Sequence, residues 1–227
     1  MASEDDGEPQ GPVFFLSYAR ARKTRSLHAG PLESDAFVLR LFDDLTQHVD
    51  QLVGSPPGED PGFVDRAIDS GTRWSPDLRA AAGSCQVFVP LVSMNYIRSR
   101  WCAMEWDAFA RRPVAHRRAP GTPRPSTAIL PVRWSPLPEG VLPARLSDVQ
   151  FFEPQHLTDP GIVPRYVNEG VYGLLALKDE VAYQAVAWRL AQRIAAIFHE
   201  YRVAVPDTLP NPSELHTSFE NLEDVAG

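Results

Sequence analysis

Three short apolar runs constrain the fold of this chain more than any other feature. They are Val13–Leu16, Phe63–Val64 and Gln86–Val92, and each is too short for a helix. An unbroken apolar run of this length is typical of a strand that is buried on both faces of a sheet. Between the first two runs, apolar residues recur at helical spacing from Val38 to Leu52. Strands that alternate with helices predict a parallel sheet with helices on both faces.

The second half of the chain completes the predicted architecture. Ile129–Val132 and Val149–Phe152 are candidate fourth and fifth strands, and a long helix is predicted from about Asp179 to Tyr201. We therefore expect an α/β fold with one domain and a central five-stranded parallel sheet. The expected organisation is a flexible N-terminus at 1–11, a domain at 12–202 with a Pro/Arg-rich irregular insertion at 113–127, and a flexible acidic tail at 203–227.

Composition excludes several classes of function. The 227 residues include 29 acidic against 22 basic side chains, a net charge of -7, which argues against a general nucleic-acid or anionic-membrane binder. The two cysteines, Cys85 and Cys102, have no metal-binding spacing and are too few for a disulfide framework. No apolar stretch approaches the ~20 residues that span a bilayer, and the acidic start is unlike a signal peptide. We expect a soluble, cytoplasmic protein that holds no metal.

One predicted helix carries a suggestive combination of side chains. Ser99 is a plausible N-cap and Pro113 ends the run, which predicts a helix from about Arg100 to Arg112. At helical spacing, two stripes lie side by side on this helix: Cys102, Trp106 and Phe109 on one, and Trp101, Glu105 and Ala108 on the other. Glu105 is therefore predicted at the edge of the core-facing surface, neither fully solvated nor fully buried. A carboxyl group in such a place can have its ionisation tuned for chemistry.

Polar residues that follow the predicted strands converge with Glu105. Ser17–Arg20 follow the first strand, Asp65 and Arg66 follow the second, and Ser93 follows the third. In an open parallel sheet, ligands bind in the crevice outside the carboxyl ends of the strands. The sequence thus predicts a ligand site at that edge. The segment Gly71–Trp74 lacks the pattern of a phosphate-binding glycine loop, which argues against a dinucleotide-binding Rossmann protein.

These same residues resemble the TIR (Toll/interleukin-1 receptor) domain family. Phe14–Tyr18 resembles the opening strand of the family, and Phe63–Asp65 with Gly71–Trp74 resembles its second strand and following loop. From Ser93 to Glu105 the chain matches the pattern S-x-x-Y-x-x-S-x-W-C-x-x-E without a gap. The resemblance covers residues 12–112 in detail, and it is strongest to bacterial members, in particular TIR-like proteins of actinomycetes. It implies a flavodoxin-like fold.

The resemblance also implies an activity. Many bacterial and plant TIR domains cleave NAD between nicotinamide and ribose, and their catalytic glutamate corresponds to Glu105. Trp101 would stack on a base of the dinucleotide. The resemblance implies that the polar rim of the substrate pocket is formed by Ser17, Tyr18, Arg20, Asp65 and Arg66. Asp65 could instead hold the following loop through backbone hydrogen bonds.

The resemblance also indicates partners and leaves two alternative functions open. NAD would be a substrate, with no bound cofactor, and assembly through TIR–TIR contacts or with a partner protein would complete the active site. A non-catalytic TIR interaction module is the alternative from a different class, and Glu105 with Trp101 favours the enzyme. A nucleoside glycosidase or transferase of related fold is a third hypothesis.

Overall fold

The structure, a computed structural model of the chain, describes residues 11–20, 33–56, 58–65, 76–117 and 127–220. The strands are β1 (Phe14–Tyr18), β2 (Gly62–Val64), β3 (Val87–Val92), β4 (Val114–His116), β5 (Val132–Arg133) and β6 (Tyr201–Val203). The helices are α1 (Glu33–Val53), α2 (Pro76–Ser84), α3 (Met94–Ile97), α4 (Arg100–Ala110), α5 (Ala144–Ser147), α6 (Ile162–Ala176) and α7 (Glu180–Glu200), with a turn of 3-10 helix at Pro212–Glu214.

The central sheet is parallel and has the strand order β2-β1-β3-β5. β1, β2 and β3 confirm the three strands predicted from the apolar runs. Every residue of β3 is buried, as expected inside a parallel sheet. Phe14 of β1 lies opposite Gly62 on one side and Val87 on the other. From β1 the chain first adds β2 on one side of the sheet and then β3 on the other side. The topological switch point of this doubly wound sheet therefore lies between β1 and β3.

The sheet of the described residues has four strands, so the prediction of five is wrong by one. The segment 129–133 does lie beside β3, with Leu130 N donating to Phe88 O at 2.8 Å. Val149–Phe152 lies next to it but is not a strand: Phe152 N donates to Pro131 O at 2.7 Å. Because Pro131 has no N–H to donate, a continuous ladder cannot form at that point.

Helices cover both faces of the sheet. The connections through α1 and α2 run across the sheet in opposite directions, so right-handed crossovers put these two helices on opposite faces. α7 packs on the face of α1, whereas α4 packs beside α2 and against β1 and β3. Within the described ranges, no helix is long and apolar enough to span a membrane.

α6 is a helix that the sequence analysis did not predict. Its buried residues, which include Ile162, Tyr166 and Leu174, follow helical spacing, but a kink interrupts it at Gly170. Gly170 has φ +64, and a Cβ there would lie 2.6 Å from the backbone oxygen of Trp134. Only glycine fits where the helix comes this close to the edge of the sheet. Any other residue would be strained at this positive φ, and its Cβ would clash with the backbone of Trp134.

The insertion and the tail are more ordered than expected. Residues 113–127 do not form an irregular insertion throughout, since β4 within them pairs antiparallel with β6, Val114 opposite Val203. The expected flexible tail from 203 is likewise wrong for residues 203–220, where Leu215 and Phe219 are buried. Single large apolar side chains attach this segment to the domain. They do not recur at helix or strand spacing in the sequence, so the polar composition of the segment suggested disorder. The ends of the chain, 1–10 and 221–227, and residues 118–126 of the insertion lie outside the described residues.

Candidate active site

Glu105 is buried on α4, against the central strands of the sheet. Ser99 begins the helix as predicted, and its hydroxyl oxygen accepts a hydrogen bond from Cys102 N at 3.3 Å. Cys102, Trp106 and Phe109 are buried, which confirms the core-facing stripe. Glu105, however, is only 7% exposed. The expected half-solvated position is therefore wrong, because α4 lies deep enough for the neighbouring stripe to be covered too.

A chain of hydrogen bonds connects Glu105 to the carboxyl end of β1. Ser17 Oγ donates to Glu105 Oε2 at 2.5 Å, and the same Oγ lies 3.2 Å from the hydroxyl oxygen of Tyr96. A serine has one hydroxyl hydrogen, so when Ser17 gives it to Glu105, Tyr96 must donate to Ser17. The order of donation is then Tyr96 to Ser17 to Glu105. Ser17 is thus buried beneath the carboxyl group instead of lying on a solvent-facing rim.

The environment of Glu105 favours the uncharged acid. Burial raises the pKa of Glu105 to about 8; the Ser17 hydrogen bond opposes this, Asp65 adds to it and Arg20 opposes it. Among the described residues, no hydrogen bond reaches the second carboxyl oxygen, Oε1. Within this part of the chain the carboxyl group is therefore held through Oε2, and Oε1 has no hydrogen-bond partner there. A cation placed beside the carboxyl group would favour its ionised form.

Tyr18, Arg20 and Asp65 form a half-buried cluster beside Glu105. Arg20 Nη2 lies 2.8 Å from Asp65 Oδ2, an ion pair between the ends of β1 and β2. The hydroxyl of Tyr18 donates to Asp65 O at 3.4 Å, and Arg20 Nη2 donates to the same oxygen at 3.3 Å. The three predicted rim residues are thus brought together, with the Arg20 guanidinium bound to Asp65. The prediction for Arg66 lies outside the described residues.

Trp101 lies on the surface of α4, one turn before Glu105. Its side chain is 43% exposed, and the guanidinium of Arg100 lies 5.6 Å from its ring centroid. Trp106 instead packs in the core against Phe88, with ring centroids 6.3 Å apart. The two indoles therefore have different environments: Trp101 is exposed and Trp106 is buried.

Tyr96 and Cys102 belong to the site although they were not predicted as site residues. Both are fully enclosed, and burial and the nearby Glu105 raise the pKa of the Cys102 thiol and of the Tyr96 hydroxyl. The raised pKa favours the uncharged Cys102 thiol over the reactive thiolate. The signal for Tyr96 was its place in the pattern between Ser93 and Ser99, but nothing in the sequence indicated that its hydroxyl reaches a residue on β1.

The structure also has a cavity of about 660 Å³ away from these residues. It lies between the C-terminal half of α7 and the segments 127–130 and 148–156. Its lining carries both signs of charge, including Arg189, Arg193, Asp148 and Glu153. None of the predicted site residues that the structure describes lines it. The convergence of hydrogen bonds at the switch point makes Glu105 the stronger candidate.

Fold and site together define a class: a doubly wound α/β domain with a buried carboxyl group at the carboxyl ends of its central strands. The profile of the TIR domain family matches residues 14–159, from the first residue of β1 to a point just before α6. The chain belongs to the TIR domain family, whose members are signalling or NAD-cleaving modules that commonly self-associate or bind other TIR proteins. Neither the curated proteins nor the solved structures contain a match.

Proposed function

We propose that this chain is an NAD+ glycohydrolase that cleaves the bond between nicotinamide and ribose, with Glu105 as its catalytic residue. The products are nicotinamide and ADP-ribose or a cyclic form of it, so NAD is a substrate and not a cofactor. The observation that carries the proposal is the Glu105 carboxyl group, which is buried beside the switch point and, among the described residues, is held through one oxygen.

The chemistry needs one carboxylate. The C–N bond to C1′ of the ribose breaks, and its electron pair leaves with the nicotinamide nitrogen, which turns the cationic pyridinium into a neutral base. Positive charge then develops on the ribose. Glu105 stabilises that charge and accepts a hydrogen bond from a ribose hydroxyl through Oε1. Water adds to C1′ and releases a proton, which completes hydrolysis. Departure of an alkoxide would require a second, protonated carboxyl group, but a neutral base does not.

The raised pKa of Glu105 suits a cationic substrate. In the free chain, burial keeps much of this acid protonated at neutral pH. The positive charge of the nicotinamide ring favours the carboxylate when NAD binds, because an opposite charge nearby lowers the pKa of a carboxyl group. Binding of the reactive end of NAD therefore generates the ionised group that the reaction needs.

The remaining predicted residues form the substrate-binding surface in this proposal. Trp101 supplies an exposed ring for stacking on a base. Tyr18, Arg20 and Asp65 border Glu105, and Arg20 contacts the diphosphate once its pairing with Asp65 is exchanged for the ligand. Arg66 is proposed for the same rim from its sequence position. Because Glu105 is only 7% exposed, the side chains above it must move for NAD to enter.

Self-association is the proposed trigger for that movement. TIR domains commonly assemble with one another, and a contact near the ends of β1 and β2 would act on the Arg20–Asp65 pair directly. Activity should therefore depend on protein concentration, and artificial clustering on a multivalent support should increase it.

The test is release of free nicotinamide from NAD by the purified chain at high concentration, and again when clustered. Glu105→Gln keeps the shape of the uncharged acid and should fold, but it should reduce the rate by at least ~100-fold because it removes the charge that stabilises the transition state. The matched control is Glu153→Gln, the same change at an exposed site, which should retain the activity of the unaltered chain.

Undiminished turnover by Glu105→Gln would contradict the assigned role of Glu105. If the unaltered chain releases no nicotinamide even when clustered, the enzyme proposal fails and the non-catalytic TIR interaction module takes its place. Release of base from a free nucleoside, with NAD left intact, would instead identify a nucleoside glycosidase.

A further inference from the structure

Tyr96 is the second residue away from Glu105 in a buried hydrogen-bond chain. Its hydroxyl lies 3.2 Å from Ser17 Oγ, which in turn lies 2.5 Å from Glu105 Oε2. Ser17 and Tyr96 are each at most 1% exposed, so water does not compete for these bonds. When Glu105 is ionised, Ser17 donates its one hydroxyl proton to the carboxylate, and its oxygen is left as the acceptor for Tyr96.

Tyr96 is held through both its backbone and its ring. On α3, the backbone N–H of Tyr96 donates to Ser93 Oγ at 3.2 Å, which fixes the start of this short helix. On the other side lies Phe219 of the C-terminal segment, with ring centroids 5.6 Å apart. Phe219 also contacts Trp106 of α4, at 5.8 Å between centroids. These contacts fix the position from which the hydroxyl of Tyr96 reaches Ser17.

We propose that Tyr96 is a positioning residue for Glu105 and acts through Ser17. A donor that bonds to the Ser17 oxygen polarises the Ser17 hydroxyl, and this strengthens the bond that Ser17 donates to the carboxylate. The hydrogen bond from Tyr96 also fixes the direction of the Ser17 hydroxyl. Glu105 therefore keeps one orientation, in which Oε1 faces the ligand. The mechanistic meaning of this positioning rests on the proposed function of Glu105, but the hydrogen-bond coupling does not.

Several other groups act on Glu105 and must be separated from Tyr96. Among the described residues, the titratable or polar groups that act on the carboxyl group or on Ser17 are Arg20 after β1, Asp65 after β2, Tyr96 on α3 and Cys102 on α4, besides Ser17 itself. Arg20 and Asp65 act by charge across space, and the Cys102 thiol and the Tyr96 hydroxyl are uncharged across the range in which Glu105 titrates. Removal of the Tyr96 hydroxyl therefore changes a hydrogen bond and no charge.

The experiment titrates the side-chain carboxyl carbon of Glu105 by NMR in chain labelled at glutamate, with Glu105→Gln identifying its signal. Tyr96→Phe keeps the ring and removes only the hydroxyl, and it should raise the pKa of Glu105 by a few tenths of a unit. Ser17→Ala removes the direct hydrogen bond and should raise the pKa by about one to two units. If Tyr96 acts through Ser17, Tyr96→Phe should add nothing in the Ser17→Ala background.

Tyr166→Phe is the matched control. Tyr166 is also fully buried, and its hydroxyl accepts a hydrogen bond from Arg133 N at 3.0 Å, away from Glu105. This change should leave the pKa of Glu105 where it is. An unchanged pKa in Tyr96→Phe, or an equal shift with and without Ser17, would overturn the proposal. Because the titration uses no NAD, it gives its answer even if the chain proves to have no glycohydrolase activity.

Discussion

Glu105 is a glutamate that the fold keeps away from water and that forms no ion pair among the described residues. The charge of a buried carboxylate is costly, so the folded chain favours the protonated acid and raises its pKa from 4.5 to about 8. The hydrogen bond from Ser17 lowers that cost only in part. Such an arrangement destabilises the folded state, which is typical of a residue retained for function.

The cost of Glu105 should be visible as a dependence of stability on pH. Between the unfolded pKa of 4.5 and the folded pKa of about 8, the folded chain binds the proton and the unfolded chain does not. The free energy of unfolding therefore falls as pH rises through this window. Glu105→Gln does not titrate, so its stability relative to the unaltered chain should increase by up to about 1.4 kcal/mol for each pH unit.

Urea unfolding at intervals across that window measures this difference, with Glu153→Gln as the exposed control that should track the unaltered chain. A stability difference between Glu105→Gln and the unaltered chain that stays constant with pH would mean that Glu105 titrates normally.

At the scale of elements, the C-terminal segment after β6 is part of the framework of α4. His216 N donates to Asp107 Oδ2 at 3.0 Å, and Arg111 Nη2 donates to Glu214 O at 2.7 Å. These bonds attach the segment to the C-terminal end of α4, and Phe219 then packs against Tyr96 and Trp106. The segment lies beyond the residues that the family profile matches, so this chain supports its Glu105 helix with an element outside the shared domain.

Phe219 should contribute to stability as a core residue does. Phe219→Ala leaves a cavity between two buried rings and should reduce the free energy of unfolding by about 3–5 kcal/mol. Val205→Ala is the control, because Val205 is in the same segment and 52% exposed. Chemical denaturation followed by tryptophan fluorescence measures both. A loss for Phe219→Ala as small as that for Val205→Ala would show that the segment does not dock in solution.

At the scale of the whole molecule, the sequence predicted the features that depend on residues close together in the chain. The apolar runs of β1 and β3, the cap at Ser99 and the spacing of α4 are local signals, and the structure confirms them. What failed depends on residues far apart in the chain. The fifth strand is lost because of Pro131 in a neighbouring segment, and Tyr96 meets Ser17 across 79 positions. The burial of Glu105 likewise depends on how closely α4 packs on the sheet.

The central claim is that the carboxylate of Glu105 stabilises the positive charge that forms when nicotinamide leaves. The most direct measurement is the pH dependence of kcat/KM for nicotinamide release, set beside the NMR titration of Glu105 in the same protein. kcat/KM reports ionisations of the free enzyme. It should therefore rise with pH to a plateau, and the midpoint of this rise should lie at the pKa of Glu105, about 8. A rate that does not change across that midpoint would contradict the claim.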